Sequence, residues 1–486
     1  MPSQPSRRTT LLGSASGCAP RRLSVLLQPR LPSTRCRRRS RAAPAGLTAL
    51  IPPACREVIV HALQHSSNMA RSTMAASENS TSSTNQTRAL DQKVGQYSSI
   101  LVPLLELGAL GFATYVFVYS MGIQYLHSPA PSFQAQGIMP RKSTALGLIV
   151  VFCVMLLVLL LAWMRLVQVI WTNPGLVPAG DANVDKVDTP TKYFDRYSAY
   201  ISDYQGRPQY CDKCSAHKPD RTHHCRELGR CVRRMDHYCP WAGGIISETT
   251  HKFFIQFLFY GMLFMVFMFI PIAVFLAERI RLLGDKPPTW IALTALSAIF
   301  TVFTGTMFFT TVWNVTINYT TVETVQRGGI QNIAMHVARS NSPPQSPPGR
   351  SSMRYSNGTT PNVIREFTRD DGREYIVIQT QPFDHPWDLG NWENFVSIMG
   401  KGPLDWFIPL RMSPCVQHFD VKGEFPWSRM VLDLAATWEA ENPGRKVRLL
   451  SDAGRRGSRS VSGDVERVRS EKRRSGHERR ASGVGR

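Results

Sequence analysis

Four apolar stretches, each long enough to cross a bilayer, constrain the fold of this 486-residue chain more than any other feature. They cover approximately residues 99–119, 145–171, 253–277 and 290–313. A helix needs about 20 predominantly apolar residues to span the hydrocarbon of a membrane. The second stretch has almost no polar residue over its first eighteen positions, which argues against helices buried in a soluble core. The pattern therefore predicts an all-α integral membrane protein with four transmembrane helices.

The charge distribution predicts how these helices are oriented. The connection between the second and third stretches is the longest of the three and is rich in Lys and Arg, which favours the cytosolic side. With four spans, both termini are then expected in the cytosol as well. Glu106 and Arg165 lie near span ends that this topology makes cytosolic. We expect their side chains to reach the interface by snorkelling rather than to form a proton relay.

Two basic tails carry much of the formal net charge of +22. Residues 1–96 are basic, rich in Ser and free of acidic residues until Glu57, as in a transit peptide or a start placed too far upstream. Residues 411–486 end in an Arg/Ser tract that cannot bury a core. Both tails are expected to be disordered. No aromatic residues interleave the C-terminal tract, so it favours an anionic leaflet over nucleic acid as a partner.

Five of the ten cysteines fall within residues 211–239. Because disulfides are unstable in the cytosol, this density indicates a metal site or a reactive thiol. Cys211 and Cys214 form a Cys-x2-Cys pair, and His224 and Cys231 follow. Three thiolates and one imidazole complete a tetrahedral zinc site. A closed site of this kind leaves no position for substrate or water, so the zinc is expected to be structural.

Cys239 is left outside that ligand set and follows an acid and an imidazole in "DHYC". An imidazole activates a neighbouring thiol by accepting its proton. A carboxylate orients the imidazole and stabilises its cation. Asp236, His237 and Cys239 therefore fit an orienting acid, a base and a nucleophile. The residues alone leave open the alternative that Cys239 is a fifth metal ligand.

The cysteine-rich stretch resembles the corresponding domain of the DHHC protein S-acyltransferases (palmitoyltransferases), particularly fungal members with a DHYC tetrad. The resemblance rests on the Cys pair, "KPDRTHHC" at 218–225, Cys231, "DHYC" at 236–239 and the following "PW". Outside the domain, the family's DPG, TTxE and PaCCT motifs are resembled by "TNPG" at 172–175, "TTVE" at 320–323 and "HPWDLGNWENFVSIMG" at 385–400. The resemblance covers about residues 97–400.

This resemblance implies a two-step transfer. Cys239 would take a long acyl chain from acyl-CoA, such as palmitoyl-CoA, as a thioester and pass it to membrane-proximal cytosolic cysteines of other proteins. His237 would activate the thiol, and Asp236 would orient His237. The host is expected to be an endomembrane (Golgi, ER or vacuole) or the plasma membrane.

The expected organisation has six segments. They are a basic tail (1–96), helices 1 and 2 (97–171), a small cytosolic cysteine-rich zinc domain (172–252), helices 3 and 4 (253–313), a cytosolic region with the TTxE and PaCCT-like motifs (314–410) and a second basic tail (411–486).

One departure from the family concerns its second zinc, whose ligands would align with Cys225 and with positions 228, 238 and 245. Leu228, Tyr238 and Ile245 stand at those three positions, whereas the first site keeps all four ligands. We therefore expect one structural zinc, with an apolar cluster in place of the other. Tyr238 is expected to be a packing residue with a polar tip.

An alternative from another functional class is a catalytically silent, zinc-bearing membrane adaptor. The intact set of Asp236, His237 and Cys239 argues against it.

Overall fold

The computed structural model describes residues 90–181, 194, 197–339, 361–417 and 424–449. Most of the N-terminal tail, residues 1–89, lies outside the described residues, and so does the Arg/Ser tract from residue 450 onward.

Within these ranges, four helices are long and apolar enough to cross a membrane, as the sequence predicts. The helices are α1 (Leu90–His127), α2 (Pro131–Gln134), α3 (Lys142–Thr172), α4 (His251–Leu283), α5 (Pro288–Thr316), α6 (Thr321–Val325), α7 (Asn391–Met399), α8 (Pro403–Phe407) and α9 (Arg429–Glu441). The four candidate spans are α1, α3, α4 and α5. Helix α1 is π-helical from Tyr115 to its end.

The long helices pack through an aromatic core at the end remote from the cysteine-rich domain. Phe152 of α3 stacks between Phe117 of α1 and Phe264 of α4, with ring centroids 4.8 and 5.2 Å away. Near the far end of α4, the Glu278 carboxylate accepts hydrogen bonds from the Tyr125 hydroxyl at 2.8 Å and the Arg141 guanidinium at 2.9 Å. These contacts fix α1 against α4 and hold the bundle together.

The prediction of an all-α fold is incomplete, because the part outside the four helices contains β-strands. They are β1 (Ala199–Ser202), β2 (Tyr210–Cys211), β3 (Ala216–His217), β4 (Thr222–Cys225), β5 (Arg230–Arg233), β6 (His237–Cys239), β7 (Gly244–Ile246), β8 (Asn332–Arg339), β9 (Asn362–Thr368), β10 (Glu374–Gln379) and β11 (Arg445–Val447). The pairs β2–β3, β4–β5 and β6–β7 are antiparallel ribbons that build the cysteine-rich domain. Strands of two to four residues are too short to show an alternating pattern in a sequence.

A second correction concerns residues 411–486, which were expected to be disordered. Part of this segment folds onto an antiparallel sheet with the strand order β1-β8-β10-β9, in which β11 also pairs with β8. Val431, Leu434 and Trp438 of α9 are buried against this sheet. Their spacing of three and four residues is that of one helix face. The sequence therefore contains the pattern of an amphipathic helix at this point, but the basic composition of the tail as a whole obscures that pattern.

Candidate active site

The four predicted zinc ligands converge in the cysteine-rich domain. The ligand atoms of Cys211, Cys214, His224 and Cys231 all lie within 4.8 Å of one another. The sulfur atoms of Cys211 and Cys214 lie 3.5 and 3.3 Å from His224 Nδ1, and that of Cys231 lies 4.0 Å away. Zn–S and Zn–N bonds of about 2.3 and 2.0 Å in a tetrahedron separate the two ligand atoms by roughly 3.5 Å. The residues therefore fit a four-coordinate zinc ion.

The two ribbons explain why these residues meet. Cys211 and Cys214 flank the β2–β3 turn, which Ser215 closes with a left-handed φ of 50°. His224 and Cys231 stand directly opposite each other in the β4–β5 register. Gly180, beyond α3, donates its N–H to the Cys214 carbonyl at 2.9 Å. A Cys-x2-Cys turn and one antiparallel pair thus supply the ligands from opposite sides.

The expected apolar cluster is present beside this site. Leu228, Tyr238 and Ile245 pack around Cys225 together with Val232 and Met235. Burial, together with the neighbouring Glu227, raises the pKa of the Cys225 thiol to about 12. The thiol donates to Glu227 Oε2 at 3.3 Å, so Cys225 is held in its neutral form.

Tyr238 also makes a contact that the sequence does not predict. Its hydroxyl donates to Ser99 Oγ of α1 at 2.9 Å. Beside it, the Gln96 amide of α1 donates to the Glu227 carbonyl at 2.7 Å. The N-terminal part of α1 is therefore fixed against the cysteine-rich domain, including the ribbon that carries Cys239.

Asp236, His237 and Thr321 form the hydrogen-bonded centre of the site. His237 Nδ1–H donates to Asp236 Oδ2 at 2.6 Å. Thr321, at the start of α6, donates its backbone N–H to Oδ1 at 2.8 Å and its hydroxyl to Oδ2 at 3.0 Å. Three donors thus fix the buried carboxylate, and the carboxylate in turn fixes the tautomer and orientation of the imidazole.

The electrostatics favour an ionised pair. Burial acts to lower the pKa of His237, but hydrogen bonds to Asp236 and Cys239 outweigh it and raise the pKa to about 10. Burial acts to raise the pKa of Asp236, but His251, His237 and the Thr321 N–H hold it well below its usual range. The imidazole is therefore cationic at neutral pH, and an imidazolium beside a thiol stabilises the thiolate.

Helix α6 is held rigidly enough to position Thr321. Thr320 and Glu323 form a reciprocal capping box, in which the Thr320 N–H donates to Glu323 Oε2 at 2.9 Å and the Glu323 N–H donates to Thr320 Oγ1 at 3.2 Å. The Glu323 carboxylate also accepts two bonds from the buried Arg221 guanidinium, at 2.8 and 2.6 Å. Despite burial, Arg221 lowers the pKa of Glu323 to about 2. The ion pair ties α6 to the cysteine-rich domain.

The motifs on either side of the domain also connect its parts. In "TNPG", the Asn173 carbonyl accepts from the Thr249 hydroxyl at 2.6 Å, and the Gly175 carbonyl accepts from the Arg233 N–H at 2.9 Å. In the PaCCT-like segment, the buried Asn394 amide donates to the Thr316 carbonyl at the end of α5, at 2.9 Å. The first two bonds fix the cysteine-rich domain to the end of α3. The third bond fixes α7 to α5.

Asn318 is a residue that our sequence reasoning missed. It accepts from Arg221 Nη1 at 2.9 Å and donates to the Trp387 carbonyl at 2.6 Å. Its left-handed φ of 55° is a conformation that Asn adopts more readily than most residues. In the sequence, only its position just after a long apolar helix could have drawn attention to Asn318.

A cavity of about 590 Å³ extends between α1, α3, α4 and α5 beside the centre. Cys239, which is 5% exposed, lines it together with His237 and Trp241. Trp241 packs on Phe300 and Phe303 of α5, with ring centroids 5.9 and 5.3 Å apart. Most of the other lining residues are apolar side chains of the four helices. The cavity therefore offers an apolar ligand a site directly beside the thiol.

The two charged residues expected to snorkel behave differently. Arg165 donates to the Leu410 carbonyl at 3.2 Å and lies over the Phe253 ring, 5.1 Å from its centroid. Glu106 instead lines the cavity. The face of α1 that carries Glu106 borders the cavity, and the snorkelling expected of its carboxylate stays a prediction.

Comparisons with known proteins found one family model and several relatives that this chain resembles. Residues 204–328 match the family model described as DHHC palmitoyltransferase. The palmitoyltransferase pfa5 of Aspergillus fumigatus is 29% identical over 452 residues, which cover 81% of this chain and 99% of that protein. The palmitoyltransferase PFA5 of Candida glabrata is 25% identical over 64% of this chain and 79% of its own length. The palmitoyltransferase ZDHHC3 of Rattus norvegicus is 30% identical over 32% of this chain and 52% of its own length.

Proposed function

This chain belongs to the DHHC palmitoyltransferase family, and on that premise we propose that Cys239 is the thiol that carries its acyl group. The enzyme is a protein S-acyltransferase. Acyl-CoA is the donor, and cysteines of membrane-associated proteins are the acceptors. The observation that carries this proposal is the position of Cys239, which adjoins both a cationic imidazole and an apolar cavity.

In the first step, the Cys239 thiolate attacks the thioester carbonyl of palmitoyl-CoA. The C–S bond to CoA breaks, and the departing CoA thiolate takes the proton held by His237. In the second step, His237 accepts the proton of the acceptor cysteine as that thiol attacks the acyl-enzyme, and Cys239 leaves as a thiolate. Each step exchanges one thioester for another, so the enzyme mainly positions the reactants and excludes water.

Asp236 and Thr321 act through His237. The Asp236 carboxylate stabilises the imidazolium and stays ionised in both steps. Thr321 holds the carboxylate with two hydrogen bonds, at 2.8 and 3.0 Å. Both are positioning residues, because neither touches the reacting sulfur in this mechanism.

The acyl chain would occupy the cavity. Each methylene transferred from water to an apolar site stabilises binding by about 0.8 kcal/mol. A long saturated chain therefore binds this apolar cavity more tightly than a short one. The chain then lies between the helices while its thioester end stays at Cys239. This arrangement suits a bilayer-embedded enzyme whose acceptors are cysteines close to the membrane surface.

Cys211, Cys214, His224 and Cys231 would hold one zinc ion. The ion would fix the β2–β3 and β4–β5 ribbons to each other, and its closed ligand set gives it a structural role. The cysteine-rich domain and both termini would lie in the cytosol, where acyl-CoA is available. The host would be the Golgi, ER, vacuole or plasma membrane.

The test uses the purified full chain and labelled palmitoyl-CoA. We expect a hydroxylamine-sensitive label that Cys239→Ser abolishes. Cys153→Ser is the matched control, because Cys153 is an exposed thiol on α3, and it should keep the label. A wild-type protein that binds zinc but takes no label would favour the silent adaptor.

A further inference from the structure

The proposed mechanism does not use Arg234, a buried cation two residues before Asp236. Arg234 is 1% exposed and has a left-handed φ of 44°. Such a φ strains a residue other than glycine and persists only where the surrounding structure holds it. The contacts of the guanidinium therefore decide where this charge lies relative to the active site.

Two neutral side chains accept hydrogen bonds from the Arg234 guanidinium. Nη1 donates to Nδ1 of the fully buried His251, at the start of α4, at 3.1 Å, and Nη2 donates to Asn318 Oδ1 at 3.4 Å. Arginine keeps its protons in proteins, so the Nδ1 atom that accepts from it carries no proton. An imidazole of this form holds its single proton on Nε2 and is neutral.

Several other groups with charge or a titratable proton face the same guanidinium. They are Arg221, Asp236, Glu248, Glu323 and Cys415. Arg221 repels the guanidinium. Burial raises the pKa of the Cys415 thiol, which is therefore neutral. The three carboxylates are the groups that could replace a lost neutral acceptor.

Two of these carboxylates already have a cation. Glu323 accepts from Arg221 at 2.8 and 2.6 Å, and Glu248 pairs with Arg233 at 3.0 Å. Asp236 has no arginine of its own, because its hydrogen-bond donors are His237 and Thr321. It is therefore the carboxylate to which the guanidinium would turn if it lost an acceptor.

Such a pairing would act on His237. The bond from His237 Nδ1 to Asp236 at 2.6 Å raises the pKa of the imidazole. A guanidinium on the same carboxylate would compete for its charge and would place a second cation beside the imidazolium. The imidazolium would then lose its proton at a lower pH.

The first turn of α4 fixes His251 in place. The Thr250 hydroxyl accepts from the Ser247 N–H at 2.8 Å and donates to the Ile245 carbonyl at 3.1 Å. These bonds join the start of α4 to β7, and β7 is the partner strand of β6, which carries His237. The acceptor for the guanidinium is thus built onto the ribbon that holds the catalytic imidazole.

We propose that His251 is a positioning residue for acyl transfer: as a neutral acceptor it keeps the Arg234 guanidinium off Asp236 and leaves the charge of that carboxylate to His237. His251 touches no reacting atom in this mechanism. The inference rests on the proposed function, since it assigns His251 a role through the imidazole that activates Cys239.

The test measures single-turnover acylation of Cys239 by labelled palmitoyl-CoA against pH, on the purified full chain. His251→Leu and His251→Asn are similar in size, but only Asn has an acceptor, its Oδ1, at the position of Nδ1. In His251→Leu, the fall of acylation at high pH should move toward the ordinary imidazole value of about 6.5. A midpoint of about 7 leaves about a tenth of the imidazole protonated at about pH 8, so acylation there should be about tenfold slower. His251→Asn should recover most of the rate and of the wild-type profile.

Two further variants identify the guanidinium as the cause. Arg234→Met combined with His251→Leu removes donor and acceptor together, which a buried site tolerates better than the loss of one partner. The double variant should return the pH profile to that of wild type. His336→Leu is the matched control, because His336 lies on β8 and packs on Tyr375, and it should leave the profile unchanged.

The outcomes separate this inference from the proposed function. If palmitoyl-CoA labels Cys239 and His251→Leu keeps the wild-type profile, or if His251→Asn is impaired as much as His251→Leu, only the role of His251 is overturned. A double variant whose acylation still falls near about pH 7 also overturns it, because the loss then comes from the imidazole itself. That result decides the matter even where His251→Leu alone does not fold. If wild-type Cys239 takes no label, the proposed function fails and this inference fails with it.

Discussion

Replacing Thr321 with Val isolates one hydrogen bond of the site. The substitution keeps the shape of the side chain and the backbone N–H bond to Asp236 Oδ1 at 2.8 Å, but removes the hydroxyl that donates to Oδ2 at 3.0 Å. A hydrogen bond to a charged group contributes about 1.5 to 3 kcal/mol. Because Asp236 keeps two of its three donors, we take the lower value. At 1.36 kcal/mol per factor of ten, acylation should slow about tenfold.

The assay is single-turnover acylation of Cys239 by labelled palmitoyl-CoA. Thr321→Ser restores a hydroxyl and should recover most of the rate. Thr324→Val is the control on the same helix, because its exposed hydroxyl donates only to the Thr321 carbonyl, and it should match wild type. A Thr321→Val enzyme as fast as wild type would refute the claim that Asp236 is held by its three donors for catalysis.

Further predictions concern pH, metal and stability. The His237 pKa of about 10 predicts that acylation falls only as the pH rises past about 10, where the imidazolium loses its proton. Asp236→Asn removes the acceptor that raises this pKa, so the fall should move toward the ordinary value of about 6.5; an unchanged pH profile would contradict the pairing. Elemental analysis should give one zinc per chain, and Cys231→Ser should lower the zinc content and the labelling together; two zinc ions per chain would overturn the single-site account. Glu323→Gln leaves the buried Arg221 without its counter-charge and should lower the free energy of unfolding by about 3 to 5 kcal/mol. Glu366→Gln, at the more exposed pair with Arg445, should cost under about 1 kcal/mol; similar losses for both variants in thermal unfolding would contradict this difference.

Features that depend on local sequence were predictable. The four spans follow from the length of their apolar runs, because a helix in hydrocarbon must satisfy its backbone within its own segment. The ligand group of Cys211, Cys214, His224 and Cys231 follows from spacing, since a tight turn and one ribbon bring these residues together. The apolar replacement of the second zinc site follows from the identity of three side chains.

Features that depend on the pairing of segments far apart in the chain could not be predicted from the sequence. The larger sheet joins β1, β8 and β11, which are more than 100 residues apart along the chain, and nothing local specifies that pairing. The Tyr238–Ser99 bond and the position of Asn318 likewise depend on how separate segments meet. Glu106 was assigned to the interface because its distance from the span end was visible in the sequence, whereas the cavity it lines was not.

The central claim is that the acyl group passes through Cys239, and a chase experiment tests it most directly. The acyl-enzyme is formed with labelled palmitoyl-CoA, freed of CoA by gel filtration, and mixed with a membrane-anchored peptide that carries one cysteine. We predict that the label leaves the tryptic peptide containing Cys239 and reaches the acceptor cysteine in equal amount. A label that stays on the enzyme, or that maps to a peptide without Cys239, would contradict the account.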